Sequence, residues 1–552
     1  MDFSFLFPLT KEGNSGKIAG MSKYIIVTGG VCSSLGKGVA ASSVGSLLEC
    51  CGLSVAMMKC DPYINVDAGN MSPYQHGEVY VTEDGAETDL DLGTYSRFTN
   101  VSLTKLNSVT TGKIYNEVIS NERAGRYNGR TVQVIPHITD EIKRRILAVG
   151  SHTGADVVIV EIGGTVGDIE LIPFLEAARQ LIRELGKGNA LSLYLTLVPM
   201  LFGGELKTKP TQHSVKKMQE IGIQPDILLC RAEHPLDEDL RKKIALFCNV
   251  EPSAVFTSID VNSTVYELPL EFHKQGLDAK ILSRLGLADK KADLSPWENF
   301  LEKFNYPKGK VTIGVIGRQN FPDDCYKSVR ESLLHAAVAA HNVQLEIRKI
   351  DAERLETGDS MSQFFEGIDG LLIPDSYGQR GFLGMLAGVR YAREHKIPYL
   401  GINLGMQLMA IEAARNILGW HDADSTEFIQ STSHPIISLP EEQAGLSAAG
   451  LMRLGASTII LEAGSQLASI YGDAQQISER HRSKYAFDRH YTEDMAGCGL
   501  KVSASAVDGL VEAFEWDSHP WGVGVQFHPE FTSRPTKPHP LFASFVAAAL
   551  KK

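Results

Sequence analysis

A chain of 552 residues is too long for one hydrophobic core and calls for two or three domains. Its 43% hydrophobic and 22% charged content is that of an ordinary soluble globular protein, and no apolar run reaches the ~18 residues of a membrane span. A formal net charge of -12 disfavours a nucleic-acid-binding surface, so any nucleotide must be held by a local lysine cluster. The eight cysteines lack metal-ligand spacing, and Cys50 beside Cys51 suits buried thiols better than a disulfide framework, which predicts a reducing, cytoplasmic setting.

Residues 1–20 read as an add-on. Phe3, Phe5, Leu6 and Phe7 make a short apolar patch without a basic start or a cleavage site, so a disordered leader or an upstream start ahead of Met21 is expected. Beyond it, apolar β-rich runs at Tyr24–Thr28, Ser54–Met58, Val157–Val160, Leu193–Val198 and Ile227–Cys230 alternate with helical patterns, predicting a parallel α/β domain over 21–286. Residues 287–308 are polar and read as a linker with one short helix. A second alternating set starts at Val311, with strands expected at Val343–Ile350, Gly370–Pro374 and Tyr399–Ile402, giving a second α/β domain over 309–552.

The first strand runs into Gly29-Gly30-Val31-Cys32-Ser33-Ser34-Leu35-Gly36-Lys37-Gly38, and a helix follows. Backbone N–H groups and a helix N-terminus there face an anion, and a lysine reaches the outer phosphates. The loop is one residue longer than the standard pattern, and Gly38 stands where a Ser or Thr helps hold magnesium. Carboxylates must then hold the metal. Asp84, Glu87, Asp89 and Asp91 are candidates, as is Glu161, an acid after four apolar strand residues, which is costly unless paired. A second basic element, Lys207-Thr208-Lys209-Pro210-Thr211-Gln212-His213, suits either a second anionic ligand or a solvated turn.

In the second half, Pro398-Tyr399-Leu400-Gly401-Ile402-Asn403-Leu404-Gly405-Met406-Gln407 has the form of a nucleophile elbow: strand, sharp turn, helix, with small flanking residues. A glutamine-hydrolysing domain needs a cysteine at the centre. The amide of Asn403 has no thiolate to attack a carbonyl. The base and its orienter remain as Gln526-Phe527-His528-Pro529-Glu530.

Together these runs resemble the CTP synthase family. The resemblance rests on Ser33–Gly38, Lys59–Asp67, Gln75–Val79, Thr82–Gly93, Gln133–His137, Glu161–Glu170 and Lys207–Ser214, and it extends from Met21 to the end, the second half being similar to a class I glutamine amidotransferase domain. It implies a P-loop, dethiobiotin-synthetase-like synthase domain followed by the amidotransferase domain, each a mostly parallel sheet flanked by helices. It also implies ATP-dependent phosphorylation of the uracil 4-oxygen of UTP, displacement of that phosphate by ammonia drawn from glutamine, and GTP stimulation of glutamine hydrolysis.

Carried over by position, Ser34, Leu35, Gly36, Lys37, Gly38 and Asp91 meet ATP, and Lys37 and Lys59 stabilise the transferring phosphate. Asp91 and Glu161 hold Mg2+. Ser33, Asp168, Glu170, Lys207, Lys209, Gln212 and Lys243 meet UTP or the product CTP. His76 and Val79 stand where ammonia emerges, and a homotetramer builds the nucleotide sites between subunits.

The second half departs from the family at several functional positions. Asn403 replaces the nucleophile. The oxyanion loop reads Pro374-Asp375-Ser376-Tyr377-Gly378, where an acid opposes a developing oxyanion. Lys484 replaces the arginine that clamps the glutamine carboxylate and loses its bidentate fork. Glu427, His528 and Glu530 survive. A single engineered knock-out does not account for the further changes, so loss of glutaminase function is expected, which leaves the role of GTP open. Three readings follow: amination of UTP by free ammonia, ligation of a different amine (Tyr74, where a smaller threonine is common, lies beside the expected ammonia exit), or a non-catalytic regulatory or filament-forming subunit. The complete set Lys37, Asp91, Glu161 and Lys207 argues against the third.

Overall fold

A computed structural model describes residues 22–551 except 202, 262, 289, 319–320, 358–360, 377 and 441–451. The leader expected at 1–20 and Tyr377 of the oxyanion loop lie outside the described residues. The first half is built on a seven-stranded sheet. Its strands are β1 (Lys23–Gly29), β2 (Val55–Asp61), β3 (Ser108–Thr110), β4 (Val157–Ile162), β5 (Ala190–Leu197), β6 (Ile227–Ala232) and β7 (Val255–Ile259), in the order β7-β6-β5-β1-β4-β2-β3. All its pairings are parallel. Helices cover both faces, so β2 and β4 are buried at every residue and their sequences read as continuous apolar runs rather than alternating ones. The two short outer strands β3 and β7 were not among the strands expected. Three residues of β3 bury too little surface to leave a periodic signal.

Strand order places the chemistry. The chain leaves β1 at the sheet centre, turns through the glycine loop and enters helix α1 (Lys37–Cys50). Lys59 of β2 is the register partner of Glu161 on β4. The loop, Lys59 and Glu161 therefore share the carboxyl edge of one sheet, where open α/β sheets take their ligands.

Residues 287–308 are less of a linker than their polarity suggests. They contain the helix α2 (Ser295–Asn305), whose Trp297 stacks on Phe98 and Tyr266 at 5.5 and 5.9 Å between ring centroids, while Phe300 meets Tyr266 edge-on at 5.4 Å. The helix closes the first core.

The second half carries a nine-stranded sheet. Strands β8 (Lys310–Gly317), β9 (Gln344–Asp351), β10 (Gly370–Ile373), β11 (Tyr399–Ile402), β12 (Arg453–Leu461), β13 (Gln476–Ser483), β14 (Leu500–Ala506), β15 (Val511–Trp516) and β16 (Gly522–Val525) lie in the order β9-β8-β10-β11-β16-β15-β14-β12-β13. The sheet is parallel from β9 to β16 and antiparallel beyond.

The halves are joined by polar contacts that leave little freedom. The Tyr80 hydroxyl donates to the Phe531 carbonyl at 3.0 Å, and Arg480 Nη1 donates to Tyr80 Oη at 2.6 Å and to the Val81 carbonyl at 3.1 Å. Glu78 accepts the Ser328 N–H at 2.7 Å, and Arg482 pairs with Glu87 at 2.8 Å. No helix among the described residues is long and apolar enough to cross a membrane.

Candidate active site

The glycine loop is built as a phosphate cradle. Val31, Ser34 and Gly36 all have positive φ, the backbone conformation from which anion-binding nests are built. Ser33 and Ser34 are exposed, and Leu35 anchors the loop in the core at 4% exposure. Lys37 Nζ donates to the Gly164 carbonyl at 2.5 Å across the loop, and burial lowers its pKa. Gly38 has a steric reason. A Cβ there would stand 2.4 Å from Asp91 Oδ1 and 3.5 Å from Glu161 Oε2. A Ser or Thr there would have to displace the Asp91 carboxylate, which occupies its place.

Those carboxylates surround Lys59. Its ammonium pairs with Asp91, lies 3.4 Å from Glu161 Oε1 and 3.6 Å from Asp61 Oδ1, and the Tyr95 hydroxyl donates to Glu161. Burial by itself would lower the Lys59 pKa, but Asp91, Glu161 and Asp61 together raise it well above the ordinary lysine value. Burial pushes Glu161 and Asp61 up, against the pull of Lys59. Burial favours the neutral forms of Asp61 and Glu161, and a divalent cation at Glu161 and Asp91 would favour the charged carboxylates instead. Among the described residues no group of three or more His, Cys, Asp or Glu is placed to hold a metal ion by itself. A pair of carboxylates completed by phosphate and water oxygens is the shell magnesium commonly takes, and Asp91 and Glu161 fit it. Asp61 and Tyr95 were missed in the sequence. Asp61 stands two residues beyond Lys59 on the same face of β2, and the packing of the helix Leu90–Phe98 brings Tyr95 in.

The second basic element does come to the cradle. Thr208 and Gln212 are buried, with Gln212 Nε2 donating to Thr208 Oγ1 at 3.1 Å, and the helix that follows presses Ser214 on the loop. A Cβ on Gly30 would stand 2.0 Å from Ser214 Oγ, which is itself 2.6 Å from Tyr194 Oη. Lys207 pairs with Glu205 at 2.5 Å, and Lys209 Nζ lies 5.6 Å from the Phe247 ring centroid. Lys243 is exposed. Asp168 and Glu170 lie on an exposed turn, where Asp168 accepts the Thr165 N–H at 3.1 Å. Among the described residues no hydrogen bond or ion pair joins Asp168 or Glu170 to these lysines.

The second half keeps the shape of a nucleophile elbow around a residue that cannot attack. Asn403 sits between β11 and the helix Leu404–Asn416 with φ 49° and ψ -100°. Close packing holds that geometry: a Cβ on Gly401 would lie 2.5 Å from the Gly405 carbonyl carbon, and one on Gly405 would lie 2.3 Å from the Ile373 carbonyl oxygen. The Asn403 amide is engaged at both ends. Nδ2 donates to Asp375 Oδ1 at 2.8 Å and to the Arg482 carbonyl at 3.2 Å, while Oδ1 accepts from Gln526 Nε2 and, at 3.4 Å, from Gln407 Nε2.

The pocket around it is changed as well. The N–H of Gly378 donates to Glu427 Oε1 at 3.1 Å, and Ser376 bonds the buried Tyr326 hydroxyl. Burial raises the Glu427 pKa, with nearby Asp375 adding to the effect. Lys484 Nζ lies 5.4 Å from the Tyr485 ring centroid. His528 Nδ1 is 2.8 Å from Glu530 Oε1, and His528 Nε2, buried, has no hydrogen-bond partner. Burial works against the imidazolium, but Glu530 and Asp375 outweigh it and raise the His528 pKa.

Two cavities meet here. One of about 290 Å³ is lined by Asn403, Gln407, Glu427, Lys484 and the Asp375–Ser376 pair. The other, about 150 Å³, shares Asp375 and Ser376, and runs past His528 and Tyr326 to Tyr74, Glu78 and Val79 of the first half. His76 does not line it. His76 stands exposed on the short helix Pro73–His76.

Fold and site define a class: a phosphate-loop ligase half fused to an amidotransferase-type half. Residues 23–287 match the family described as CTP synthase N-terminus, and residues 322–548 match glutamine amidotransferase class-I. The CTP synthase of Carboxydothermus hydrogenoformans is 52% identical over 534 residues, covering 96% of this chain and 99% of its own. That of Koribacter versatilis is 53% identical over 534 residues, covering 96% and 95%. A solved glutaminase domain of Trypanosoma brucei CTPS with bound acivicin is 37% identical, covers 44% of this chain and 94% of its own, and aligns with a TM-score of 0.42. The chain belongs to the CTP synthase family of ATP-dependent carbon–nitrogen ligases.

Proposed function

We propose that this chain aminates UTP at the pyrimidine 4-position with ATP, and that the nitrogen comes from free ammonia or another external amine rather than from glutamine. The contrast between the two halves carries the reading. Lys37, Lys59, Asp91 and Glu161 form a complete phosphoryl-transfer set, while Asn403 is bonded at both ends and the Gly378 N–H is committed to Glu427. Lys37 and Lys59 concentrate positive charge where charge builds up on the transferring phosphate. Asp91 and Glu161 would hold Mg2+, which supplies further charge neutralisation at the phosphates.

Lys207, Lys209, Gln212 and Lys243 bind the UTP phosphates, with Asp168 and Glu170 completed from a neighbouring copy in a homotetramer. Ile169 and Ile172, 81% and 56% exposed beside them, support a covered face there. Ligation of a different amine draws on one observation: Tyr74, 48% exposed, lines the cavity between the halves, so its ring shapes the space an amine would meet there.

The test incubates the protein with UTP, ATP and magnesium, with ammonium, or with glutamine and GTP, and reads products by mass. CTP from ammonium alone is the expected result. CTP from glutamine overturns the reading of Asn403. ADP release without CTP points to a different amine.

A further inference from the structure

The inference rests on the reading that an external amine replaces glutamine. At neutral pH such an amine arrives protonated. An alkylammonium with a pKa near that of lysine, about 10.4, is neutral in only about one molecule in a thousand at pH 7. A protonated amine has no lone pair with which to attack the activated uracil. In a glutaminase this problem does not arise, because hydrolysis releases the nitrogen next to a base. Here the base remains although hydrolysis has no nucleophile.

The His528–Glu530 pair is buried and held at 2.8 Å through Nδ1, so in the neutral imidazole Nδ1–H donates to Glu530 and the lone pair lies on Nε2. That Nε2 has no protein partner at 2% exposure of the residue, a costly arrangement unless a ligand donor meets it. It does not meet the elbow residue, whose amide is turned to Asp375, Arg482, Gln407 and Gln526. His528 lines the cavity leading to the synthase half, and Asp375 stands where that cavity joins the outer one. Asp375 is also the acid that makes this a poor oxyanion site and a good ammonium site.

The other charges facing the joint are consistent with a cation. Glu530 lines the inner cavity and Glu427 the outer, while Glu78, also on the inner cavity, is drawn toward its neutral form by burial. Of the cations present, Arg482 pairs with Glu87 at 2.8 Å and Arg318 Nη2 donates to the Gly378 carbonyl at 2.8 Å. Lys484 lies at the outer cavity over the Tyr485 ring.

We propose that the joined cavities bind a protonated primary amine, either ammonium or a small alkylammonium, with Asp375 receiving its charge and His528 Nε2 taking one proton, so that a neutral amine enters the synthase half. The N–H bond breaks with its electron pair left on the amine nitrogen. The proton passes to Nε2, the imidazolium is balanced by Glu530 and Asp375, and the proton leaves to water through the outer cavity. His528 keeps the base of a glutaminase and uses it on the amine itself.

The experiment measures UTP- and ATP-dependent amination by the full chain, with ammonium chloride and with methylammonium chloride, at about pH 7 and about pH 9.5. Wild type is compared with Asp375→Asn, Asp375→Glu and His528→Gln. The expected result is a rise of about tenfold or more in KM for total amine at pH 7 for Asp375→Asn and His528→Gln, shrinking toward wild type at the higher pH where neutral amine is abundant. The rise should be larger for methylammonium, the weaker acid, and Asp375→Glu should recover part of the loss. KM values for UTP and ATP should not move. Product from wild type with unchanged amine KM in both variants overturns the inference alone, as does a loss of the same size at both pH values. No product from wild type with either amine overturns the preceding reading together with it.

Discussion

The two halves each bury a basic residue among acids, and they have fared differently. In the first, Lys59 sits among Asp61, Asp91 and Glu161, and Gly38, lacking a side chain, leaves room for Asp91 at the phosphate loop. In the second, His528 keeps Glu530, and Asn403 keeps φ 49° and ψ -100°, but the atom that would attack glutamine is gone. Strain of this kind persists when the surrounding packing over-determines it, and Gly401 and Gly405 packed against neighbouring backbone do so here. An intact elbow is therefore a statement about packing, and a glutaminase is a statement about the side chain at its tip.

The comparison breaks most sharply at Lys59. Lys59→Met should lower amination about 10³-fold or more, because phosphoryl transfer loses its nearest charge. It should also destabilise the first half by about 3–5 kcal/mol by stranding the buried carboxylates of Asp61 and Glu161. Kinetics with ammonium and a thermal melt check the two effects separately. If activity survives, the first half is not the working half.

The joint between the halves gives a smaller, pH-dependent effect. Burial raises the Glu78 carboxyl to about 7 against the opposing pull of Arg97 and Ser328, from an ordinary value of 4.5. The folded state thus holds a proton that the unfolded state releases. The stability this gives is present in full below the unfolded value and is lost as pH rises through about 7, a contribution of at most ~3 kcal/mol. Wild type should melt progressively lower from pH 5.5 to pH 8 by a few degrees more than Glu78→Gln, which stays neutral throughout. Equal slopes would remove Glu78 from the joint's energetics.

The smallest expected effect sharpens the comparison. Asn403→Cys should not restore glutamine use. Asp375 remains at the oxyanion position, the Gly378 N–H still serves Glu427, and Lys484 cannot fork onto a carboxylate. Glutamine-dependent product should stay below about a hundredth of that with ammonium, since one lost oxyanion donor is worth about 10²–10³ in rate. Efficient glutamine use by this variant would mean that a single residue separates the two states.

By itself the sequence determined the class of each half. Buried parallel strands, a glycine loop ending in Lys37, an elbow with Asn403 at its tip and the His528–Glu530 pair are all local patterns, because each depends on residues close together in the chain. The packed helix at Ser295–Asn305 was half legible: its polarity suggested a linker, and only the stacking of Trp297 on Phe98 and Tyr266 makes it part of a core. Tertiary structure alone decided that Glu161 and Tyr95 join the Lys59 cluster and that Asp91 crowds the place of a side chain at Gly38. It also decided that Asn403 turns to Asp375 instead of His528. Those contacts join residues dozens to more than a hundred positions apart, and no local period encodes which strand will lie beside which.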